Sequence, residues 1–600
     1  MNTSQTIKEQ YEHKIETLNA ELKKLDDHNQ RFAQFRLIIF LTIIGAAALA
    51  LLGGYFSIWW GLLPIGVFVF AVAKHDRVLR LQERVTWSRD FYTDALARIE
   101  NRWQGKGIIR TDLVDDDHLF ALDLDIFGKG SLFDLMCTAK TASGEAQLAA
   151  WLSQPSRKEE ILARQDAVRE LTDKLQLRED IYLCTRRMSS LLNPARLTPW
   201  ATAEEQISQT ERRTLRVLFY ALAGAAVAAA VSCFFSDFGL AFLAGVAIVQ
   251  WIAGRVLKNK LAPILQGVEG PKRQLKVLSD ILARFEQQEV NSPMLRSLKD
   301  RLYVNRQPSS AAVARLGKLV DWMEQAKNQV FAPVAFLLMW NGHFALAIEK
   351  WRHQFGKRIP EWLDAAGQLE ALSSVAGYAF EHPEDPYPLV VDDAPLVAGE
   401  DLGHPLISAA ECVRNSVSLN TTTQVWVVSG SNMSGKSTFL RVIGINAVLA
   451  MCGAPICGKK MTLSPVAIGS TIRVLDSLQK GTSRFYAEIS TLKQIVELTD
   501  GEFPLLFLLD EIFHGTNSHD RKIGAQAVVE ELVNRGALGL VTTHDLALTK
   551  AAEALGETAK NVHFDDQVID GRLHFDYSLK DGPVTRSNAL ELMRSVGLNV

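Results

Sequence analysis

Two long stretches without charged side chains are the feature that most restricts the fold of this 600-residue chain. Leu37–Ala73 contains 37 residues and no Asp, Glu, Lys or Arg. Val217–Gly254 is interrupted by a single charge, at Asp237. A helix needs roughly 20 apolar residues to cross a bilayer, so each stretch has the length of two spans. The sequence therefore predicts four transmembrane helices in two hairpins, at residues 37–73 and 217–256.

Helices buried in a large all-α core are the alternative explanation of these stretches. A core helix is usually amphipathic, whereas these segments are apolar on every side, which favours the membrane. Lys and Arg flank the outer ends of both hairpins, and the short connecting loops contain neither residue. Such basic flanks face the cytoplasm. The sequence predicts a multi-pass protein of the cytoplasmic (inner) membrane, with both termini and the soluble parts in the cytoplasm.

The rest of the chain changes character near residue 390. Before it the sequence is mostly helical, and after it short β-branched runs alternate with helices, as in α/β domains. The predicted division is an N-terminal amphipathic helix or coiled coil (1–36), the first hairpin (37–73), a linker helix (74–118), the first half of a helical core (119–216), the second hairpin (217–256), further core and lever helices (257–388) and an α/β domain (389–600).

A glycine-rich loop between a strand-like and a helix-like run predicts a phosphate-binding site. The apolar run Val425–Ser429 leads into the pattern GxxxxGK[ST], and the helical stretch Phe439–Leu449 follows. Backbone N–H groups of such a loop, at the start of a helix, surround nucleotide phosphates. Lys436 is predicted to neutralise the β- and γ-phosphates, and Ser437 to hold Mg²⁺. The predicted nucleotide-binding residues of the loop are Gly430, Ser431, Asn432, Met433, Ser434, Gly435, Lys436, Ser437 and Thr438.

Two further strand ends complete the predicted site. The apolar strand Leu505–Leu509 ends in Asp510 and Glu511. Asp510 is predicted to be the second ligand of Mg²⁺, and Glu511 the base that orients the attacking water. The strand Gly539–Thr543 is followed by His544, which is predicted to sense the γ-phosphate. The sequence therefore predicts an ATPase that uses ATP and Mg²⁺, with catalytic side chains Lys436, Glu511 and His544.

Four segments resemble motifs of the MutS family, whose members act in DNA mismatch repair. Gly430–Thr438 has the family's Asn-Met pair at its centre, and Asp510–Ser518 is similar to DEIGRGTST, with Phe-His in place of Gly-Arg. Thr542–His544 resembles the family's Ala-Thr-His switch. Asp476–Glu488 is similar to a loop that reaches across the family's dimer. The resemblance implies a homodimer in which Ser483 contacts the partner's nucleotide.

The resemblance extends to the adenine side and to the helical core. Tyr577 falls where the family places a ring against adenine, and Val413, with Cys412, corresponds to the opposite wall. Thr138–Gly144 looks like the start of the family's core domain, and residues 361–376 look like its return. Coverage is about 120–600. The implied fold is an α/β P-loop ATPase domain of the ABC class plus an all-α core domain, with four transmembrane helices in two hairpins.

Departures from the family pattern bear on the partner. Nothing before residue 119 matches the mismatch-reading domain, and the part between the core halves is short for the family's levers and DNA clamp. These departures argue against mismatch recognition, whereas the resemblance still implies DNA binding. The net charge of −3 requires any DNA contact to come from a local patch. The basic stretch Lys258–Lys276 fits either anionic lipid or nucleic-acid phosphates.

Three functions stay open at this point. The first is a dimeric, membrane-anchored ATPase with composite sites that couples ATP hydrolysis to DNA binding. The second is a membrane scaffold or switch whose ATPase acts on an unidentified protein partner. The third, an ABC-type transporter, is disfavoured because the LSGGQ signature is missing and the spans carry no charge except Asp237.

Overall fold

The computed structural model of the protein describes residues 3–53, 62–113, 115, 117–186, 194–268, 272–473, 484–513, 518–544, 546–569 and 572–584. These residues fall into two compact units. The first comprises residues 1–107 with 381–384, and the second comprises residues 108–380 and 385–600.

The first unit is built on a pair of long helices, α1 (Thr3–Gly53) and α2 (Leu62–Ile99). Tyr11 contacts Tyr92 with ring centroids 5.6 Å apart, and Phe40 lies 6.4 Å from Phe68, so the two helices are antiparallel. The predicted boundary at residue 36 does not interrupt α1. The amphipathic and the apolar parts of the N-terminal region belong to one continuous helix.

The second unit begins with a helical region, as the sequence predicts. Its helices are α3 (Leu132–Met136), α4 (Ala142–Ser153), α5 (Lys158–Thr172), α6 (Leu175–Arg186), α7 (Pro194–Thr202), α8 (Gln209–Ser232), α9 (Gly239–Gln266), α10 (Lys272–Glu286), α11 (Pro293–Asp300), α12 (Ser309–Glu324), α13 (Ala332–Leu337), α14 (Trp340–Phe355) and α15 (Ile359–Glu381). A small hairpin, β1 (Tyr303–Val304) and β2 (Gln307–Pro308), precedes α12.

Three helices in the described part of the chain are long and apolar enough to cross a membrane. They are α8, α9 and the stretch Gln5–Leu49 of α1, and most of their apolar residues are exposed. The predicted fourth span coincides with the start of α2. Residues 54–61, which would belong to the turn and to that span, lie outside the described residues, and only Leu62–Ala73 of its apolar stretch is described.

The remaining elements alternate between strands and helices, which confirms the predicted α/β character. They are β3 (Leu389–Val390), β4 (Val397–Leu402), β5 (Asn415–Leu419), β6 (Val425–Ser429), α16 (Lys436–Cys452), β7 (Lys460–Leu463), β8 (Ala467–Thr471), α17 (Arg484–Glu497), β9 (Leu505–Asp510), α18 (Ser518–Asn534), β10 (Leu538–Thr543), α19 (Leu546–Ala554), β11 (Ala559–Ile569) and β12 (Arg572–Asp581).

A six-stranded sheet carries the predicted motifs. Its order is β12-β11-β6-β10-β9-β8, in which β12 is antiparallel to β11 and the other pairs are parallel. Strands β6 and β10 are entirely buried, as expected of parallel strands covered on both faces. Because β6, β9 and β10 are parallel, their carboxyl ends meet at one edge of the sheet. A second sheet, in the order β3-β7-β4-β5, is a feature that the sequence analysis did not predict.

An acidic turn ties the helical region to the α/β region. The Asp123 carboxylate accepts hydrogen bonds from Ser470 Oγ at 2.6 Å and from the backbone N–H of Arg473 at 2.9 Å. Asp125 forms ion pairs with Arg473 at 2.8 Å and with Arg441 at 3.3 Å. Arg441 belongs to α16, and Arg473 follows β8. The acidic turn therefore holds both α16 and the end of β8 in place.

A buried carboxyl group joins α15 to the start of α4. Glu370 accepts hydrogen bonds from the Thr141 hydroxyl and from Lys140 N, the latter at 3.1 Å. Burial raises the pKa of Glu370 from its usual 4.5 to about 7. Between these two pH values the folded chain holds a proton that the unfolded chain has released. The free energy of unfolding therefore falls as the pH rises from 4.5 to about 7.

We expect this ionisation to lower the free energy of unfolding by about 2–3 kcal/mol between pH 5 and pH 8. Glu370→Gln is neutral throughout, so it should lose that much less stability than the parent over the same interval. Denaturant titrations at both pH values measure the difference. Glu361→Gln, on the surface of the same helix, serves as the control and should follow the parent. Parallel curves for the parent and Glu370→Gln would contradict the assignment.

Candidate nucleotide site

A cavity of about 640 Å³ opens at the carboxyl edge of the large sheet. The glycine loop and the first turns of α16 form one wall, and the carboxyl end of β9 and the middle of β12 contribute others. Its lining residues are Leu402, His404, Ile407, Glu411, Cys412, Val413, Asn415, Asn432, Met433, Gly435, Lys436, Ser437, Thr438, Phe439, Val442, Asp510, Glu511, Phe564 and Tyr577. The volume is that of a typical small-molecule pocket.

Two glycines at the ends of the loop have conformations that other residues rarely adopt. Gly430 has φ +152° and Gly435 has φ +103°. A Cβ atom on Gly430 would lie 2.9 Å from the carbonyl oxygen of Phe564, and one on Gly435 would lie 3.1 Å from the Tyr577 ring. Both positions therefore require glycine, for backbone conformation and for space. The loop can in this way turn sharply from β6 into α16.

Lys436, the first residue of α16, is held at the mouth of the loop. Its Nζ donates hydrogen bonds to the carbonyl oxygens of Gly430 and Ser431, each at 2.9 Å, and lies 3.2 Å from Glu511 Oε1. The side chain is 4% exposed. Within the described residues, the buried hydroxyls of Ser431 and Ser434 have no hydrogen-bond partner. A lysine at a glycine loop and at the start of a helix fits a phosphate group.

The hydroxyl and carboxylate predicted to bind Mg²⁺ lie together. Ser437 Oγ donates to Asp510 Oδ2 at 2.6 Å, and the other oxygen of Asp510 accepts from the Thr542 hydroxyl. Two oxygens bound to one Mg²⁺, each about 2.1 Å from it, are about 3 Å apart. The Ser437 and Asp510 oxygens therefore need to move apart only slightly to bind the ion together. Hard oxygen donors are the ligands that Mg²⁺ prefers, and the residues present therefore fit it.

Glu511 lies between the loop lysine and the predicted sensor. Its Oε1 is 3.2 Å from Lys436 Nζ and 3.5 Å from His544 Nδ1. The backbone N–H of Glu511 donates to Thr542 Oγ1 at 3.0 Å, so β10 helps to fix the turn after β9. The structure thus brings the lysine, the glutamate and the histidine together at one point of the sheet edge.

The turn that carries Glu511 has an unusual backbone. Glu511 has φ +46° and Phe513 has φ +64°, the left-handed region that glycine favours. Phe513 stands where the similar family motif has glycine, and such a conformation costs roughly 1–2 kcal/mol for other residues. Its ring is buried in the core beneath the sheet, 6.1 Å from Phe485, which offsets this cost. Glu488 on α17 accepts a hydrogen bond from Phe513 N and holds the turn.

The opposite end of the cavity is less polar. Tyr577 is 43% exposed, has φ +52°, and is fixed by Asn415, whose side chain bonds Tyr577 O at 3.0 Å and Leu579 N at 2.8 Å. Val413 and Cys412 line the same cavity, as the prediction of an adenine-binding end requires. An exposed ring at the rim of a pocket can stack on a planar base.

The structure does not place every predicted residue in the cavity lining. Gly430, Ser431 and Ser434 are not among the residues that line the cavity, and His544 is connected to the site through its contact with Glu511. Ser483, predicted to act across a dimer, lies outside the described residues.

Sequence reasoning missed several residues of the site. His404 lines the cavity, and burial lowers its pKa to about 4, so the ring adds no charge there. Phe439, Val442 and Phe564 supply apolar lining. Glu488 belongs to the segment Asp476–Glu488 that resembles the family's loop. No pattern in the sequence indicates that its carboxylate binds the turn after β9.

Two family descriptions match the chain. MutS domain III matches residues 118–376, which include the helices from α3 to α14 and most of α15. MutS domain V matches residues 426–599, which include the glycine loop and the ends of β9 and β10. Together they account for the helical region and most of the α/β region.

Curated relatives agree with these matches. A DNA mismatch repair protein MutS of Streptococcus uberis is 31% identical over 196 residues, which is 32% of this chain and 23% of that protein. A DNA mismatch repair protein MutS of Natronomonas pharaonis is 30% identical over 247 residues, which is 40% of this chain and 28% of that protein. DNA mismatch repair protein MutS 2 of Halobacterium salinarum is 32% identical over 238 residues, which is 39% of this chain and 27% of that protein. The chain spans about a quarter of the length of these relatives. With two domains matched in order along the sequence, the chain belongs to the MutS family.

Proposed function

We propose that this protein is a membrane-anchored MutS-like ATPase that binds ATP with Mg²⁺ and hydrolyses it. The observation that carries the proposal is the convergence of Lys436, the Ser437–Asp510 pair and Glu511 at one end of a 640 Å³ cavity. These groups supply a cation for phosphate oxygens, oxygen ligands for Mg²⁺ and a carboxylate to orient water, and P-loop ATPases need all three.

Each group has a distinct role in the proposed reaction. Lys436 neutralises the β/γ-phosphate oxygens, and Ser437 and Asp510 hold Mg²⁺, which supplies charge neutralisation when bound. Glu511 orients water and accepts its proton, and His544 responds to the γ-phosphate through its contact with Glu511. Tyr577 stacks on adenine, with Val413 on the other side of the base.

A homodimer is proposed to complete the site. The cavity is open to solvent on one side, and a nucleotide held only by the glycine loop is exposed to water there. A partner's loop that covers the γ-phosphate excludes water and adds a hydrogen-bond donor. Ser483, a small hydroxyl in a segment similar to the family's trans-acting loop, is proposed to be that donor.

Membrane anchoring is proposed from the three long apolar helices together with the apolar start of α2. Four spans in two hairpins, with cytoplasmic termini, place the ATPase domain (389–600) and the two core segments (119–216 and 257–388) on the cytoplasmic face. The anchor distinguishes this chain from a freely diffusing family member. It requires that the protein stay in the membrane fraction after carbonate extraction.

The ligand coupled to ATP turnover is proposed to be DNA, with a protein partner as the second candidate. The relatives' names associate them with DNA mismatch repair. The second candidate is favoured because the chain spans about a quarter of the length of those proteins, and the two matched domains begin at residue 118.

One capture experiment separates the two candidates. Full-length protein carrying Glu511→Gln, which is expected to hold ATP without turnover, is captured from membranes with ATP and Mg²⁺, and both nucleic acid and protein are identified. The same protein with Lys436→Ala added is the matched control without bound ATP. ATP-dependent enrichment of DNA supports the first candidate, and enrichment of one protein without DNA supports the second. Retention of neither above the control would overturn ATP-coupled partner binding.

A further inference from the structure

A third charge-free segment lies beside the α8–α9 hairpin. Asn328–Ile348 contains 21 residues and no Asp, Glu, Lys or Arg. It does not form one long helix, because a short 3₁₀ turn (Gln325–Lys327) and the six-residue α13 precede α14, and Met339 between α13 and α14 has φ +48°. No single helix of this segment is therefore long enough to cross a membrane.

The short helix α13 packs against the middle of the apolar hairpin. Leu337 contacts a cluster formed by Ala226 and Ala229 of α8 and Val246 of α9. Ala226 and Ala229 lie nine and twelve residues beyond Val217, where the charge-free stretch begins. At 1.5 Å per residue they are about 14 and 18 Å along the helix. In a hydrocarbon core about 30 Å thick, these positions are near the centre.

The next turn of the chain returns toward the start of α8. Gly342 approaches Phe219 so closely that a Cβ atom on it would lie 2.7 Å from the ring. Phe219 is only two residues beyond Val217, so Gly342 is level with the beginning of the apolar stretch. The segment is therefore deepest at α13 and rises again in α14, on the same side of the hairpin.

The broken backbone at α13 is satisfied by protein groups. Gln250, a buried amide within the apolar helix α9, donates from Nε2 to Leu337 O at 2.8 Å and to Leu222 O at 3.0 Å. Asn328 caps the turn before α13, since its carbonyl accepts from Ala332 N at 2.8 Å and its side chain from Val330 N at 2.9 Å. Irregular backbone at membrane depth is tolerated where such partners exist.

From Val330 onward, the exposed face of α13 and the turn before it is apolar. Val330 is 88% exposed, Val334 46% and Phe336 42%. Trp322, before the segment, and Trp340, at the start of α14, have ring centroids 6.1 Å apart. Tryptophan is enriched at membrane–water interfaces. The exposed face continues the bare apolar surface of α8 and α9, so the medium that covers those helices would cover α13 as well.

We propose that residues 328–340 form a re-entrant element that enters the lipid bilayer from the cytoplasmic side and returns to it, docked on the α8–α9 hairpin through Gln250. The occupant of the exposed face is lipid acyl chain. The inference rests on the proposed membrane anchoring. It adds a third membrane-embedded element at the second hairpin, one that directly continues into the helical core through α14.

The test places a photoreactive benzoylphenylalanine at Phe336 or, in a second variant, at Val334 of the full-length protein. Each variant is reconstituted in vesicles of phosphatidylcholine and phosphatidylglycerol and irradiated, and adducts are identified by mass spectrometry. The same group at Ile248, an exposed position of α9, reports on the anchor itself. The same group at Tyr303, exposed in β1 and away from the hairpin, is the aqueous control.

We expect acyl-chain adducts at Phe336 and Val334 at least about tenfold above those at Tyr303, since only the former face hydrocarbon. Adducts at Ile248 without any at Phe336 and Val334 would overturn the re-entrant element and leave the anchor intact. Adducts from Phe336 to a second copy of the chain or to another protein would also overturn it. Absence of lipid adducts at Ile248 would refute the anchor and the re-entrant element together.

Discussion

Glu511→Gln is expected to slow ATP hydrolysis by roughly 10²–10⁴-fold while ATP binding persists, because the amide cannot accept the proton of the attacking water. The carboxylate lies 3.2 Å from Lys436 Nζ, and its removal takes a negative charge away from the phosphate site. Affinity for ATP should therefore stay the same or rise. Equilibrium binding of a fluorescent ATP analogue and steady-state phosphate release measure the two effects separately.

Glu497→Gln is the matched control for this substitution. It makes the same chemical change on an exposed residue of α17 that forms an ion pair with Lys493 of the same helix. Its turnover should equal that of the parent. Parental turnover in Glu511→Gln, or loss of ATP binding, would show that Glu511 is not the base.

Lys436→Ala is expected to weaken ATP binding by roughly 100-fold or more, since the phosphates lose a buried charged donor. Glu511 would also be left beside the phosphates without its cation. Lys459→Ala, which removes an exposed lysine, is the control and should bind ATP normally.

Ser483→Arg is expected to bind ATP but to hydrolyse it slowly, because the arginine blocks the partner's site.

Mixing Lys436→Ala with Ser483→Arg tests the composite site directly. In an exchanging equimolar mixture, half of the dimers are mixed, and one of the two sites in each is intact. Turnover should therefore recover to about one quarter of the parental value. No recovery under conditions of proven subunit exchange would show that each chain acts on its own nucleotide.

The arrangement at the sheet edge could be predicted because each of the predicted side chains directly follows the end of a strand. A buried strand followed by GxxxxGKS, another followed by Asp510 and Glu511, and a third followed by His544 must meet at one edge if the strands are parallel. The structure has that parallel order, with β10 between β6 and β9. Local pattern and topology agree here, so spacing alone placed these side chains together.

Contacts between distant segments could not be predicted in this way. Glu488 bonds the turn after β9 from a different helix, and His404 reaches the cavity from the loop between β4 and β5. The position of α13 is set by Gln250, which reads in the sequence only as one amide in an apolar helix. The predicted boundary at residue 36 lies within the continuous helix α1, because a change of composition need not end a helix.

The hydrogen bond that Phe513 N donates to Glu488 connects α17 to the backbone of the turn that carries Glu511. Helix α17 begins at Arg484, one residue after Ser483. If subunit pairing favours one position of α17, it also favours one position of Glu511. Thermodynamic reciprocity then requires that nucleotide change the affinity between subunits by the same factor by which pairing changes the affinity for nucleotide. Dimerisation constants measured with and without ATP would therefore give the coupling free energy between subunit pairing and nucleotide binding.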